Sequence, residues 1–81
     1  MNIENLIKTL IEPLVDHKED IFVKQFPEDV DGHIVYEVML NKDDIGRVIG
    51  KNGNVAQAIR TICYAAALKN NQKVRINIDH F

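Results

Sequence analysis

The 81-residue sequence contains one cysteine, no tryptophan, two prolines and four glycines. Each scarcity excludes something. A lone thiol, Cys63, can close no internal disulfide, and the histidines stand apart at positions 17, 33 and 80, so neither a disulfide framework nor a zinc cage is expected. Cys63 falls in an alanine-rich helical stretch and reads as a small buried hydrophobe, not a nucleophile. No Cys/His or Ser/His pairing or metal cluster stands out. An enzyme is therefore disfavoured, and no catalytic residue, metal, cofactor or small-molecule substrate is assigned. Apolar runs such as Ile34 to Tyr36 and Tyr64 to Leu68 fall well short of the roughly 18 residues of a membrane span. Glu4 precedes any lysine and no small-residue cleavage site follows, so neither a secretory signal nor a transit peptide is read and a cytoplasmic location is expected.

What is present is the balance of a folded chain, 46% hydrophobic and 27% charged, long enough for one core and therefore one domain over residues 1–81. The net charge of −2 hides an asymmetry. Residues 1–46 carry four basic and eleven acidic side chains, whereas residues 47–81 carry six basic ones (Arg47, Lys51, Arg60, Lys69, Lys73, Arg75) and a single acid, Asp79. A local positive surface on an acidic protein is thus permitted, and with it an anionic ligand.

Ile3, Leu6, Ile7, Leu10, Ile11, Leu14 and Val15 recur at helical spacing behind Asn2, a plausible N-cap, and Pro13 predicts a kink or an end near Glu12. Residues 16–20 form a polar connection and read as a solvated loop. Ile21–Phe26 and His33–Leu40 read as adjacent strands joined by a turn containing Asp31-Gly32. Ile34, Tyr36, Val38 and Leu40 share one face of the second. Asp43 and Asp44 are placed to cap a short helix bearing Ile45, Val48 and Ile49. After Gly50–Gly53 a second helix runs from Asn54 to about Lys69, with Val55, Ile59, Ile62, Cys63 and Ala66 toward the core. Ala58, Ile62, Ala65 and Ala66 extend beyond one stripe, and intramolecular sheet packing is the expected use of most of them. Lys73–Ile78 alternates as a last strand. The order α-β-β-α-α-β specifies an α+β fold with a three-stranded sheet and helices packed on one face.

Special backbone chemistry, charge and apolar surface coincide only in Ile45-Gly46-Arg47-Val48-Ile49-Gly50-Lys51-Asn52-Gly53-Asn54. Gly50 and Gly53 allow a sharp turn and a close backbone approach. The unpaired amides that open the following helix favour a phosphate, Lys51 adds a cation, and Ile45, Val48 and Ile49 offer an apolar wall for unstacked bases. Two other glycine motifs fail. The spacing is one residue short of a P-loop and Asn52 follows Lys51 where a hydroxyl is required, and a dinucleotide fingerprint needs G-x-G-x-x-G after a strand.

Ile45, Val48-Ile49-Gly50-Lys51-Asn52-Gly53 and the downstream Ile59-Arg60 resemble the KH signature, in which a G-x-x-G loop between two helices clamps about four nucleotides of a single strand. The element order is similar to the type II KH arrangement over nearly the whole chain. In length and in the segments IGK-x-G and A-x-A-I-R it most resembles the small single-domain KhpA family of bacteria. The resemblance implies single-stranded RNA binding through Gly50, Lys51, Asn52, Gly53 and Asn54, with Arg47, Ile45, Val48 and Ile49 beside them. It further implies a homodimer, a heteromer with a larger KhpB (Jag)-like protein, and an RNA-chaperone or post-transcriptional role tied to the cell wall and cell length. One departure is Ala56, where many KH domains carry a large aliphatic residue. With no aromatic residue in the loop, weak sequence preference is expected. Of the remaining cations, Arg60, Lys73 and Arg75 are left unassigned. The competing reading is a KH-fold scaffold subunit that touches no RNA.

Overall fold

A computed structural model describes residues 2–81. Helix α1 (Ile3–Ile11) begins where the Asn2 side chain accepts the Asn5 amide at 3.1 Å, and it buries Ile3, Ile7 and Ile11, one residue per turn. It stops before Pro13. The chain tightens into a 3-10 turn over Glu12–Leu14 and leaves it through Val15, extended and buried. A second short 3-10 turn, Lys18–Asp20, leads into the sheet.

Strand β1 (Phe22–Phe26) pairs antiparallel with β2 (Ile34–Leu40), and β2 pairs parallel with β3 (Val74–His80), so β2 is central. The β1–β2 turn is closed by the Asp29 carboxylate, which accepts the amides of Asp31 and His33, with Gly32 at φ +79°. The register sets Val23 beside Val38 and Tyr36 beside Ile76 on the inner face. On the open face Phe22, Lys24 and Phe26 meet Met39, Glu37 and Val35, and the Lys24 ammonium sits 5.1 Å from the centre of the Phe26 ring. Strand β3 runs two residues past the expected end at Ile78, because parallel pairing continues to His80 opposite Leu40, and Phe81 N–H reaches the Leu40 carbonyl.

Between β2 and β3 the chain forms α2 (Ile45–Ile49), a 3-10 turn over Lys51–Gly53 and α3 (Asn54–Leu68). The core gathers Ile7 and Ile11 of α1, Val38 and Leu40 of β2, Val48 of α2, Cys63 and Ala67 of α3 and Ile76 of β3. Cys63 is fully buried, which pushes its thiol up to about 11. The α3 stripe differs from the expected one. Ala56, Ile59, Cys63 and Ala67 are buried at spacings of three and four, Val55 and Ala66 flank them, and Ile62 is 48% exposed. Small residues at 56, 63 and 67 let α3 lie close to its neighbours, which turns the helix and rotates Ile62 outward. Ala58 and Ala65 are exposed as well, so intramolecular packing does not use them.

Candidate nucleic-acid interface

Helix α2 has only five residues, too few to persist on propensity alone, and two anchors hold it. Val48 is fully buried in the core. It supports the segment from beneath and its side chain presents no surface to a ligand, a correction to its place among the expected contacts. Ile45 and Ile49 are half-buried and remain partly open.

The second anchor is Asp44, 1% exposed at the start of α2. Its carboxylate does not cap the helix, contrary to expectation. It turns back to the 16–17 connection, where Oδ1 accepts the Asp16 amide at 3.1 Å and Oδ2 accepts the His17 amide at 3.0 Å and faces the His17 ring Nδ1 at 3.1 Å. The same Oδ1 also accepts Arg47 Nη2 at 2.8 Å. A buried carboxylate needs every lone pair answered, and the loop amides answer it better than the helix start does. Burial pushes the Asp44 carboxyl up, yet these donors together hold it below the usual range. The 16–20 connection is thereby bolted to α2 rather than free in solvent. Asp43 does not cap either; its amide donates to the Asn41 side chain, which itself donates to Asp20.

The loop turns on three residues with positive φ: Gly50 at +77°, Asn52 at +56° and Gly53 at +77°. Gly50 is required twice over, since a Cβ there would run into the Val55 and Asn54 side chains and the φ itself is unfavourable for an L-residue. A Cβ on Gly53 would meet open space, so only its left-handed conformation asks for glycine. The Gly53 N–H closes the turn on the Gly50 carbonyl at 3.2 Å. Helix α3 then starts with no side-chain cap and no acid in its first turn. The Asn54 N–H donates to the Lys51 carbonyl within the turn, and the positive end of α3 faces the loop together with the exposed side chains of Lys51, Asn52 and Asn54.

The three arginines are committed elsewhere. Arg47 Nη2 bridges Asp44 and Asp16, each at 2.8 Å. Arg60 Nε donates to the Ile76 carbonyl of β3, and Arg75 pairs with Asp29 and Asp31. Lys73 and Arg75 line a shallow cavity of about 260 Å³ with Tyr64 and Leu68 near the far end of α3 from the loop. Asp29, Asp31 and His33, at alternate positions of the β1–β2 turn, bring ligand atoms within 4.8 Å of one another, a grouping missed by looking only at the spread of the histidines, but the Arg75 guanidinium and the turn amides already engage the two carboxylates. Ala56, flagged as a departure beside the loop, is 1% exposed and belongs to the core.

The family described as KhpA/KhpB, KH domain, matches residues 4–78 of the chain. The chain belongs to that family. Its KhpA relatives include the RNA-binding protein KhpA of Listeria monocytogenes, 47% identical over 75 residues that cover 93% of this chain and 96% of the relative. The RNA-binding protein KhpA of Bacillus subtilis is 42% identical over 77 residues, covering 95% and 93%. Among solved structures, Era in complex with MgGDPNP and nucleotides 1506–1542 of 16S ribosomal RNA superposes with a TM-score of 0.66 at 15% identity, over 96% of this chain and 29% of that one. An Era structure from Aquifex aeolicus gives 0.68 at 14% identity, over 98% and 30%. At such identities the likeness to Era is one of fold, and the chain spans under a third of either Era chain. In this KhpA/KhpB domain the match therefore runs from α1 almost to the end of β3 and includes the Gly50–Gly53 bend.

Proposed function

We propose that this chain, one KH domain over residues 1–81, binds single-stranded RNA by laying the sugar-phosphate backbone across the Gly50–Asn54 bend. The observation that carries the reading is the bend itself: three positive-φ residues bring the backbone to the surface against an uncapped, acid-free helix start, with Lys51 exposed beside it. A phosphate there gains amide hydrogen bonds and the favourable end of the α3 dipole. Ile45 and Ile49 offer partly open aliphatic surface for the bases, and the loop has no aromatic ring, so base selection is weak. Asn52 and Asn54 add neutral polar contacts, and Val48 acts only by holding α2. The name carried by the Listeria and Bacillus relatives supports RNA as the ligand.

A domain that reads about four nucleotides binds weakly, and pairing two such domains raises apparent affinity through effective concentration. The exposed Ala58, Ile62 and Ala65 on α3 support a homodimer, and the family description, which joins KhpA with KhpB, supports a KhpB (Jag)-like partner. The protein then acts in the cytoplasm as an RNA chaperone or post-transcriptional regulator connected to the cell wall and cell length. No helix among the described residues is long and apolar enough to cross a membrane. The test is a titration of ¹⁵N-labelled protein with short oligoribonucleotides. The amides of residues 50–54 should shift first and most. Shifts confined to other surfaces, or none, would favour the scaffold reading.

A further inference from the structure

The cluster around Asp44 contains more than an anchor needs. Two carboxylates, Asp44 and Asp16, share one guanidinium, and the Asp44 oxygen that Arg47 leaves untouched faces an ionisable ring, His17. Arg47 lies three residues before Gly50, within one helical turn of the bend, and is 52% exposed.

We infer that Arg47 is a phosphate-binding cation held in reserve, clamped by Asp16 and Asp44, and that a proton taken up by His17 loosens the clamp and turns Arg47 toward a strand lying on the Gly50–Asn54 bend. The inference rests on the RNA-binding reading above. While His17 is neutral, Arg47 is the only cation answering two carboxylates, and a phosphate would arrive as a third anion. Once His17 is charged, the buried Asp44 has a cation of its own. Asp16, 72% exposed on its side chain, is then solvated well enough to release Arg47 at small cost.

The groups that face His17 all favour its charged form: Asp44 and Asp43 from the start of α2, and Glu19 from its own connection, with Arg47 only beyond Asp44. The hydrogen bond to Asp44 accordingly raises the His17 pKa above the ordinary imidazole value of 6.5, against the opposing pull of desolvation. By linkage, a phosphate drawn to Arg47 and a proton on His17 help each other, so RNA affinity rises as pH falls through the His17 pKa.

The experiment titrates a fluorescently labelled single-stranded oligoribonucleotide of mixed sequence with the full chain at about pH 8 and about pH 5.5, on either side of an imidazole titration. Alongside the native chain it uses His17→Gln, Asp16→Asn, Arg47→Ala and Lys51→Ala, each checked for native circular dichroism. Native affinity should increase roughly two- to fivefold at the lower pH, the size of a partly exposed charge interaction, and this step should vanish in His17→Gln and Arg47→Ala. Asp16→Asn should bind more tightly than native at the higher pH and show a smaller step. A step that persists in His17→Gln, or native binding that is insensitive to pH while Lys51→Ala still weakens it, overturns the latch and leaves RNA binding intact. No binding by the native chain at either pH overturns both readings.

Discussion

At the scale of single residues, the loop glycines separate two reasons for having no side chain. Gly50→Ala meets both a positive φ and the Val55 and Asn54 side chains, and should cost about 2 kcal/mol or more. Gly53→Ala meets only the φ penalty, about 1 kcal/mol. Chemical denaturation of the two variants checks the order. Because the space at Gly53 is open, Gly53→Asp should fold, yet weaken RNA binding by setting a carboxylate where a phosphate should lie. Lys51, exposed at the bend, is expected to neutralise one phosphate, so Lys51→Ala should reduce the slope of log affinity against log salt by about 0.7. His17 bears on stability too. Its folded pKa lies above its unfolded one, so its contribution is fully present below pH 6.5 and is lost as pH rises through the folded value. Thermal melts should therefore show the native chain losing stability across that window, with His17→Gln losing less. Cys63, buried and shifted up to about 11, should resist alkylation until the chain is unfolded.

At the scale of elements, α2 shows how a segment too short to be a helix by itself becomes one. The spacing of Ile45, Val48 and Ile49 signals a helix, but what holds it is Val48 buried in the core and Asp44 bonded to the 16–17 connection. The apolar anchor was legible because hydrophobic periodicity is a local signal. The polar one was not, since Asp44 finds its partners 27 and 28 residues back in the chain. An aspartate just before a helix reads as a cap on local grounds, and a distant loop outcompeted that role. The loop glycines were legible for the converse reason: a G-x-x-G spacing between two helices constrains φ within four residues. Helix α1 depends on its buried ladder, and Ile7→Ala, at a fully buried position, should cost about 2–5 kcal/mol in denaturant unfolding.

At the scale of the whole molecule, the charge asymmetry between the two halves is partly cancelled by ion pairs between them. Arg47 is drawn to Asp16 and Asp44, and Arg75 to Asp29 and Asp31, so two cations of the second half are spent on acids of the first. This leaves Lys51 as the cation at the bend without a hydrogen-bonded or ion-pair partner among the described residues, and a compact site follows in place of a broad basic surface. The exposed flank of α3 makes a prediction at this scale. Ile62→Glu should reduce self-association, measured as mass against concentration by sedimentation, without changing the circular dichroism spectrum, since the side chain is 48% exposed.

Local periodicity and backbone demands were enough, on the chain alone, to determine the element order, the inward faces of α1, β2 and β3, the break before Pro13 and the glycine bend. Each depends on residues within a few positions of one another. Which flank of α3 turns outward, which carboxylate anchors α2 and which arginines are already paired were decided only by tertiary structure. Those outcomes are competitions between partners far apart in sequence, settled by burial and by the need of a buried charge to have its lone pairs met.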